Sequence, residues 1–372
     1  MINIQDHKWK KKYPLTDQNA FIALVDVMGD DNAIVQAART SFDGDAPYGI
    51  AISDKVKKWA EKKLYINLDH AQSISKNSNG ITIHGIEEDY EYYTNNEYYK
   101  SIYGIYEKQL IEDRHLTRYL MNHQHSTPFE MVVVKFMVQV PMDCWRQWVR
   151  HRMASINEYS TRYTEALDFF QVTNQREWRT QSKDNKQGSS GYLETWPENW
   201  TINTNSNVIH IPGEAAKCYG AGQSPMPKTV GEYLSTEEEK FHKYAKKLYK
   251  ERLDLGIARE QARKDLPLST YTRAYWKSDL RNIFNFLKLR MDSHAQLEIR
   301  QFANAMFDII KPLFPVACEA FEDYVLHAKS FSRMEMEELR SIISHFIDQG
   351  FEINKPASMT DREWKEFIDK IS

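Results

Sequence analysis

The sequence predicts a mixed α/β domain, and three stretches carry that expectation. Residues 131–140 (MVVVKFMVQV) alternate as a half-buried strand does, with Val132, Val134, Phe136, Val138 and Val140 on one face and Lys135 and Gln139 on the other. Residues 20–28 (AFIALVDVM) form a second apolar run, short enough for a buried strand. Longer helical patterns at 236–255 and 280–313 supply the other layer.

The remaining elements follow in chain order. Gly29-Asp30-Asp31 reads as a turn and 33–39 as a short helix whose alanines allow close packing, with Arg39-Thr40-Ser41-Phe42 closing the first unit. Residues 43–111 are rich in Lys, Asn, Tyr and Glu and lack a sustained apolar period, so they read as an insertion, helical near 55–63 with a hairpin near Asn79-Gly80. Residues 114–121 form an amphipathic helix, 122–130 a loop, and the strand at 131–140 then delivers the chain to Pro141, which suits a helix start. In that helix Trp145, Trp148 and Val149 recur at helical spacing, which leaves Asp143, Arg146, Gln147 and Arg150 on the polar face. Ser155, Asn157, Ser160 and Thr161 then favour a polar turn.

Residues 171–229 are polar and turn-rich, a second insertion. The 236–255 helix ends at Gly256, and a helical turn at 258–264 precedes Asp265-Leu266-Pro267-Leu268. Within one long helix at 280–313, Arg290, His294 and Glu298 would stack at i, i+4 and i+8. A main domain over 1–330 and a helical extension over 331–372, with an amphipathic helix at 336–346, complete the expected organisation.

At 372 residues the chain can bury a large core as one large domain or two smaller ones. A formal net charge of −3 argues against a generally basic nucleic-acid binder, so any anion site is local. No apolar run is long enough for a membrane span, and the first six residues are no signal peptide. Cys144, Cys218 and Cys318 stand far apart, which suggests neither a zinc knuckle nor a disulfide framework. The expectation is a cytoplasmic protein without a nucleic-acid, membrane or metal partner.

The densest chemistry lies between Trp145 and Glu165, where Arg146, Arg150, Arg152, Arg162 and His151 stand against only Glu158 and Glu165. Grouped guanidiniums suit phosphate oxygens, or a carbonyl that must carry negative charge, because the planar fork donates two parallel hydrogen bonds. A charge run alone is more often a solvated face, but here it is interleaved with tryptophans and followed by hydroxyls. Four ordered blocks then resemble the flavin-dependent thymidylate synthases. They are V-D-V-M-G near the start, H-x-H-x-T-P-F-E at 123–130, R-H-R-x7-S ending at Ser160, and L-P-L-x-x-Y-T-R followed by N-F-L-x-L-R-x-D-S-H-A-Q. Both insertions and the tail lie outside the resemblance.

The resemblance implies a mixed or antiparallel sheet with long helices, in a chain that works as a homotetramer on dUMP and a folate. It implies reductive methylation of dUMP to dTMP, with methylenetetrahydrofolate as carbon donor and FAD reduced by NADPH. For FAD it implies Arg150, His151 and Arg152, with His125 and Thr127 from the 123–130 block. Ser41, Glu158, Asp279, Arg281, Asn285 and His294 would complete that site. For dUMP it implies Gln147, Arg150, Glu158, Ser160, Thr161, Arg162, Arg263 and Arg290. Arg290 would also be catalytic, stabilising charge that develops on the uracil ring when C5 attacks. Ser160 has no legible Ser-His-Asp arrangement and is expected to bind rather than attack. Two positions depart from the family pattern: Thr161 stands where glycine is common, and Asp279 where asparagine is common. Three other readings stay open: a hydroxymethyl product, a nucleotide-binding homologue without turnover, and a metal pair at His123 and His125.

Overall fold

The computed structural model describes residues 8, 10–40, 50–64, 66, 68–77, 80–84, 96–183, 186, 188–196, 201–204, 207–210 and 229–371. Along the chain, β1 (Lys11–Lys12) leads to β2 (Phe21–Met28) and α1 (Asp31–Thr40). Then come β3 (Ile50–Ala51), α2 (Asp54–Leu64), β4 (Ser73–Asn77) and β5 (Gly80–His84). Helix α3 (Asn96–Asn122) runs on to the single turn α4 (Thr127–Glu130), β6 (Val133–Pro141), α5 (Met142–Trp148) and β7 (Ser155–Glu158). Two short hairpins, β8 (Arg179–Gln181) with β9 (Ser189–Tyr192) and β10 (Thr201–Thr204) with β11 (Asn207–His210), precede α6 (Val230–Asp254). After α7 (Arg259–Ala262) and a 3₁₀ turn at Arg263–Asp265 come β12 (Tyr271–Asp279), α8 (Leu280–Arg290), α9 (Leu297–Ile310) and α10 (Pro315–Phe321).

The chain divides into two compact units, Met1–Phe321 and Glu322–Ser372. The second holds a π turn at Glu322–Leu326, α11 (Arg333–Asp348) and α12 (Asp361–Ile371). Helix α11 opens on a capping box between Ser332 and Glu335. The tail thus carries the expected helix and also a second one at its end. Among the described residues no helix is long and apolar enough to cross a membrane.

The first unit is built on one five-stranded sheet in the order β1-β2-β6-β12-β7, antiparallel at every pairing. Val134, Phe136, Val138 and Val140 of β6 are fully buried, as the alternation of the sequence requires. Trp276 of β12 joins them, and α5, α8 and α9 close over that face through Trp148, Phe286 and Phe302. Each such side chain contributes roughly 1.5–3 kcal/mol by leaving water. Gly29 makes the turn from β2 into α1 with φ +88°, where an added Cβ would lie 3.1 Å from both Ala33 and Val132. Gly256, with φ +78°, stops α6 as expected.

Three expectations are corrected, and one strand is new. The 280–313 segment is two helices, because the chain breaks at Met291–Gln296: Asp292 accepts the backbone N–H of His294 at 2.8 Å, and α9 begins after Gln296 at the N-cap position. Arg290, His294 and Glu298 therefore do not stack on one helix. Ser155–Glu158 is not a turn but an edge strand, held by backbone pairing of Ser155–Glu158 with Ala274–Lys277. The third strand of the core, β12, was not anticipated, although Ala274, Trp276 and Ser278 alternate with Tyr275 and Lys277. Finally, the 43–111 insertion has its own core, in which Val56, Ala60, Ile74, Ile102 and Ile105 pack together. Its last helix continues without a break into the family region, since α3 runs from Asn96 to Asn122.

Polar groups join that insertion to the rest. Arg39 on α1 pairs with Asp113 on α3 and also donates to Ala51 O at 2.9 Å. Gln109 donates to Asp113 at 2.5 Å and accepts the Ser53 N–H at 2.8 Å. Burial pushes the Asp113 carboxyl up, against the pull of Arg39. Removing one member of a buried pair leaves the other charge uncompensated, so Arg39→Met should lower unfolding stability by about 3 kcal/mol at neutral pH. Urea unfolding checks this, with part of the loss recovered in Arg39→Met/Asp113→Leu.

Candidate active site

Helix α5 positions one set of functional side chains. Pro141 enters it extended (φ −61°, ψ 145°), and the first two helical N–H groups are taken by Thr270 O at 3.0 Å and Leu268 O at 3.1 Å. Cys144, Trp145 and Trp148 enter the core. Asp143 and Gln147, one turn apart, face the gap between α8 and α9, while Met142 and Arg146 line a neighbouring pocket. The chain then turns, with the His151 N–H bonding Trp148 O at 3.0 Å.

Arg290 ends α8 and is half-buried against α5. Its Nε donates to His151 Nε2 at 3.0 Å, its Nη2 to Gln147 O at 3.3 Å and its Nη1 to Gln147 Oε1 at 3.5 Å. Because the guanidinium can only donate, His151 Nε2 must present a lone pair, so the imidazole is neutral. Burial, reinforced by the Arg290 charge, holds the His151 imidazole down at about 4. Burial and the neighbouring Arg150 also lower Arg290 from its usual range.

On the other flank of α5 lies a pocket of about 660 Å³ lined by Glu158, Ser160, Thr161 and Arg263, with Arg146 and Lys264 adding positive charge. Glu158 accepts from the buried Thr272 hydroxyl at 2.7 Å. Arg263 donates to Thr161 Oγ1 at 2.7 Å, and Arg162 stands 3.5 Å from Glu260. Residues 160–164 form a tight turn: the Ser160 carbonyl accepts the N–H groups of Tyr163 and Thr164, each at 3.1 Å. Thr161 takes no glycine-like conformation there, so the departure from glycine leaves the backbone unstrained.

The positions expected to meet a flavin spread along α8 and its neighbours. Arg281 stands 3.6 Å from Glu130 of α4, the turn that Thr127 opens, and exposed Asn285 lies one turn further along α8. Asp279 spends its carboxylate capping α8, accepting from Asn282 N at 2.9 Å and from the Asn282 amide at 3.0 and 2.8 Å. His125 is exposed near Tyr119, their rings 5.6 Å apart. His294 pairs with Asp292 at 2.7 Å in the link between α8 and α9. Arg150 and Arg152 are exposed and have no carboxylate partner among the described residues. Ser41 lies outside the described residues. Among the described residues no group of three or more His, Cys, Asp or Glu side chains could hold a metal ion, so His123 and His125 have no third ligand there.

The structure therefore gathers Gln147, His151 and Arg290 into one cluster and Glu158, Ser160, Thr161 and Arg263 into another. Sequence reasoning missed Thr272 and Gln296, which brace these clusters from β12 and the start of α9. Both were within reach of the alternating pattern of β12 and the H-A-Q end of the last block.

A sequence profile of the family described as thymidylate synthase complementing protein matches residues 23–316. The chain is 42% identical over 269 residues to a flavin-dependent thymidylate synthase of Dictyostelium discoideum, covering 72% of this chain and 74% of that one. It is 33% identical to the corresponding protein of Rickettsia bellii, over 94% of this chain and 90% of that one. A solved structure of a UMP/dUMP methylase, PolB from Streptomyces cacaoi, shares the fold: TM-score 0.53 at 23% identity, covering 83% of this chain and 96% of that chain. An all-antiparallel sheet that carries the R-H-R turn against the end of α8, matched over most of the chain by these proteins, places this chain in the flavin-dependent thymidylate synthase family.

Proposed function

We propose that this protein methylates dUMP reductively to dTMP in the cytoplasm, with methylenetetrahydrofolate as carbon donor, FAD as cofactor and NADPH as reductant. The observation that carries the reading is the environment of Arg290. Three of its five N–H groups are committed to His151 and Gln147, which leaves two aimed by those bonds and available to a ligand. Uracil C5 must act as a nucleophile toward the incoming carbon, which puts negative charge on the ring carbonyls and N3. A prepositioned guanidinium stabilises that charge as it develops, without reorganising at the moment of reaction.

The second cluster supplies the phosphate end. The turn at Ser160–Arg162 and the guanidinium of Arg263 offer forked donors of the kind a dianionic phosphate prefers. Glu158, oriented by Thr272, accepts from a sugar hydroxyl or a base N–H. The two clusters stand on different flanks of α5, which supports a homotetramer in which neighbouring copies complete each site.

The donor set also fits FAD. Arg150 and Arg152 are exposed without carboxylate partners among the described residues, and Thr127, Arg281 and Asn285 lie on the adjoining α4 and α8. These groups suit a pyrophosphate and the polar edge of a planar ring, and His125 would lie beside that ring. FAD, once bound and reduced, supplies the electrons that turn the transferred carbon into a methyl group. The residues of this chain bind and orient dUMP and hold Arg290 in place.

Incubation of the purified protein with dUMP, methylenetetrahydrofolate, NADPH and FAD, followed by mass analysis of the nucleotide, should yield dTMP. Unchanged dUMP or a hydroxymethyl product would overturn the reading. Arg290→Ala should keep bound flavin and lose ~10²–10³ in turnover, the usual effect of deleting one donor to developing charge.

His151 gives a pH test. Its pKa is depressed to about 4 from an unfolded value near 6.5, so between these values the unfolded chain binds a proton that the folded chain does not. Its contribution to stability is therefore full above 6.5 and falls as pH drops through that window. The His151 ring resonances should titrate near 4, and a midpoint near 6.5 would remove its role as acceptor for Arg290.

A further inference from the structure

An amide has a direction, and at Gln147 that direction decides whether Arg290 is held or repelled. Gln147 turns its oxygen to Arg290 Nη1, while its Nε2 donates to Gln296 Oε1. Gln296 donates in turn through Nε2 to Asp143 Oδ2 at 3.0 Å. Asp143 Oδ2 is the acceptor that terminates this chain, and it fixes the sense of both amides. Reversing Gln296 would set oxygen against oxygen at Asp143. Reversing Gln147 would set N–H against N–H at Arg290. All four side chains are half-buried, so water competes poorly for these bonds. The relay also bridges the break in the 280–313 segment, since Arg290 closes α8 and Gln296 stands at the N-cap position of α9.

We propose that Asp143 and Gln296 are positioning residues for Arg290: acting through Gln147, they lock its guanidinium at the angle at which its two remaining N–H groups meet the uracil ring. This rests on the reading of the site as one that methylates dUMP.

The test uses the flavin-loaded enzyme. Gln296→Met keeps the length of the side chain and removes both bonds. It should lower kcat by ~10- to 100-fold, as a small misplacement of a catalytic group does. The KM for dUMP, the bound flavin and the melting temperature should stay close to those of the parent. Asp143→Ala should behave alike, and Asp143→Asn, which keeps an acceptor oxygen, should recover a large part of the loss. In an Arg290→Ala background Gln296→Met should add nothing, because the lock then has nothing to hold. Parental kcat in Gln296→Met, full additivity with Arg290→Ala, or equal damage from Asp143→Asn and Asp143→Ala would each overturn the proposal. The Arg290 Nη resonances read the lock without turnover, because Nη1 is the group that meets Gln147 Oε1: restricted rotation in the parent should become free in Gln296→Met, and unchanged rotation would overturn it. Absence of dTMP from the parent would instead overturn the assigned reaction, so the two failures are distinguishable.

Discussion

The pairing of β6 with β12 is the constraint from which the site follows. Val133 lies opposite Asp279 and Pro141 opposite Tyr271, with an unshifted register between them. Helix α5 leaves one end of this ladder after Pro141, and α8 leaves the other end after Asp279, so the two helices run back toward each other over one face of the sheet. Helix α8 rises about 16 Å over its length, enough to bring Arg290 to Gln147. On its outer edge β12 carries β7, which delivers Glu158 to Thr272. A one-residue slip would turn Trp276 out of the aromatic core and Thr272 away from Glu158 together.

Against that frame, the charges of the R-H-R stretch divide their labour. His151 is half-buried, neutral and spent on Arg290, whereas Arg150 and Arg152 on either side remain exposed. One short turn thus contributes an uncharged acceptor to Arg290 and leaves two cations exposed. The same economy holds at Asp279, whose charge is absorbed by the N-terminus of α8 and by Asn282.

The legible parts of the sequence were those in which burial imposes a single period. The strand at 131–140 showed itself because Val134, Phe136, Val138 and Val140 all face the core, and Gly256 marked its helix end through a backbone conformation that favours glycine. β12 escaped because Thr272, Arg273 and Lys277 dilute an alternation that is clear once Trp276 is known to be buried. β7 escaped for a different reason: its pairing uses backbone groups, which side-chain character does not announce. The break between α8 and α9 lies in Asp292-Ser293-His294, where local hydrogen bonds compete with helix continuation. In the site, the four-block order named Gln147, His151 and Arg290, and Glu158, Ser160, Thr161 and Arg263, which the fold gathers into two clusters. The amide relay through Gln296 depends on distances between elements that no linear pattern encodes.

Helix α3 has a mechanical consequence. At 27 residues it is a rod of about 40 Å, rooted at one end in the core of the 43–111 insertion and ending beside the histidine loop at 123–125. The helix has no break between these two ends. The small β3-β4-β5 sheet and that loop therefore hang on one continuous backbone, which the Arg39–Asp113 pair ties to α1 about two-thirds of the way along.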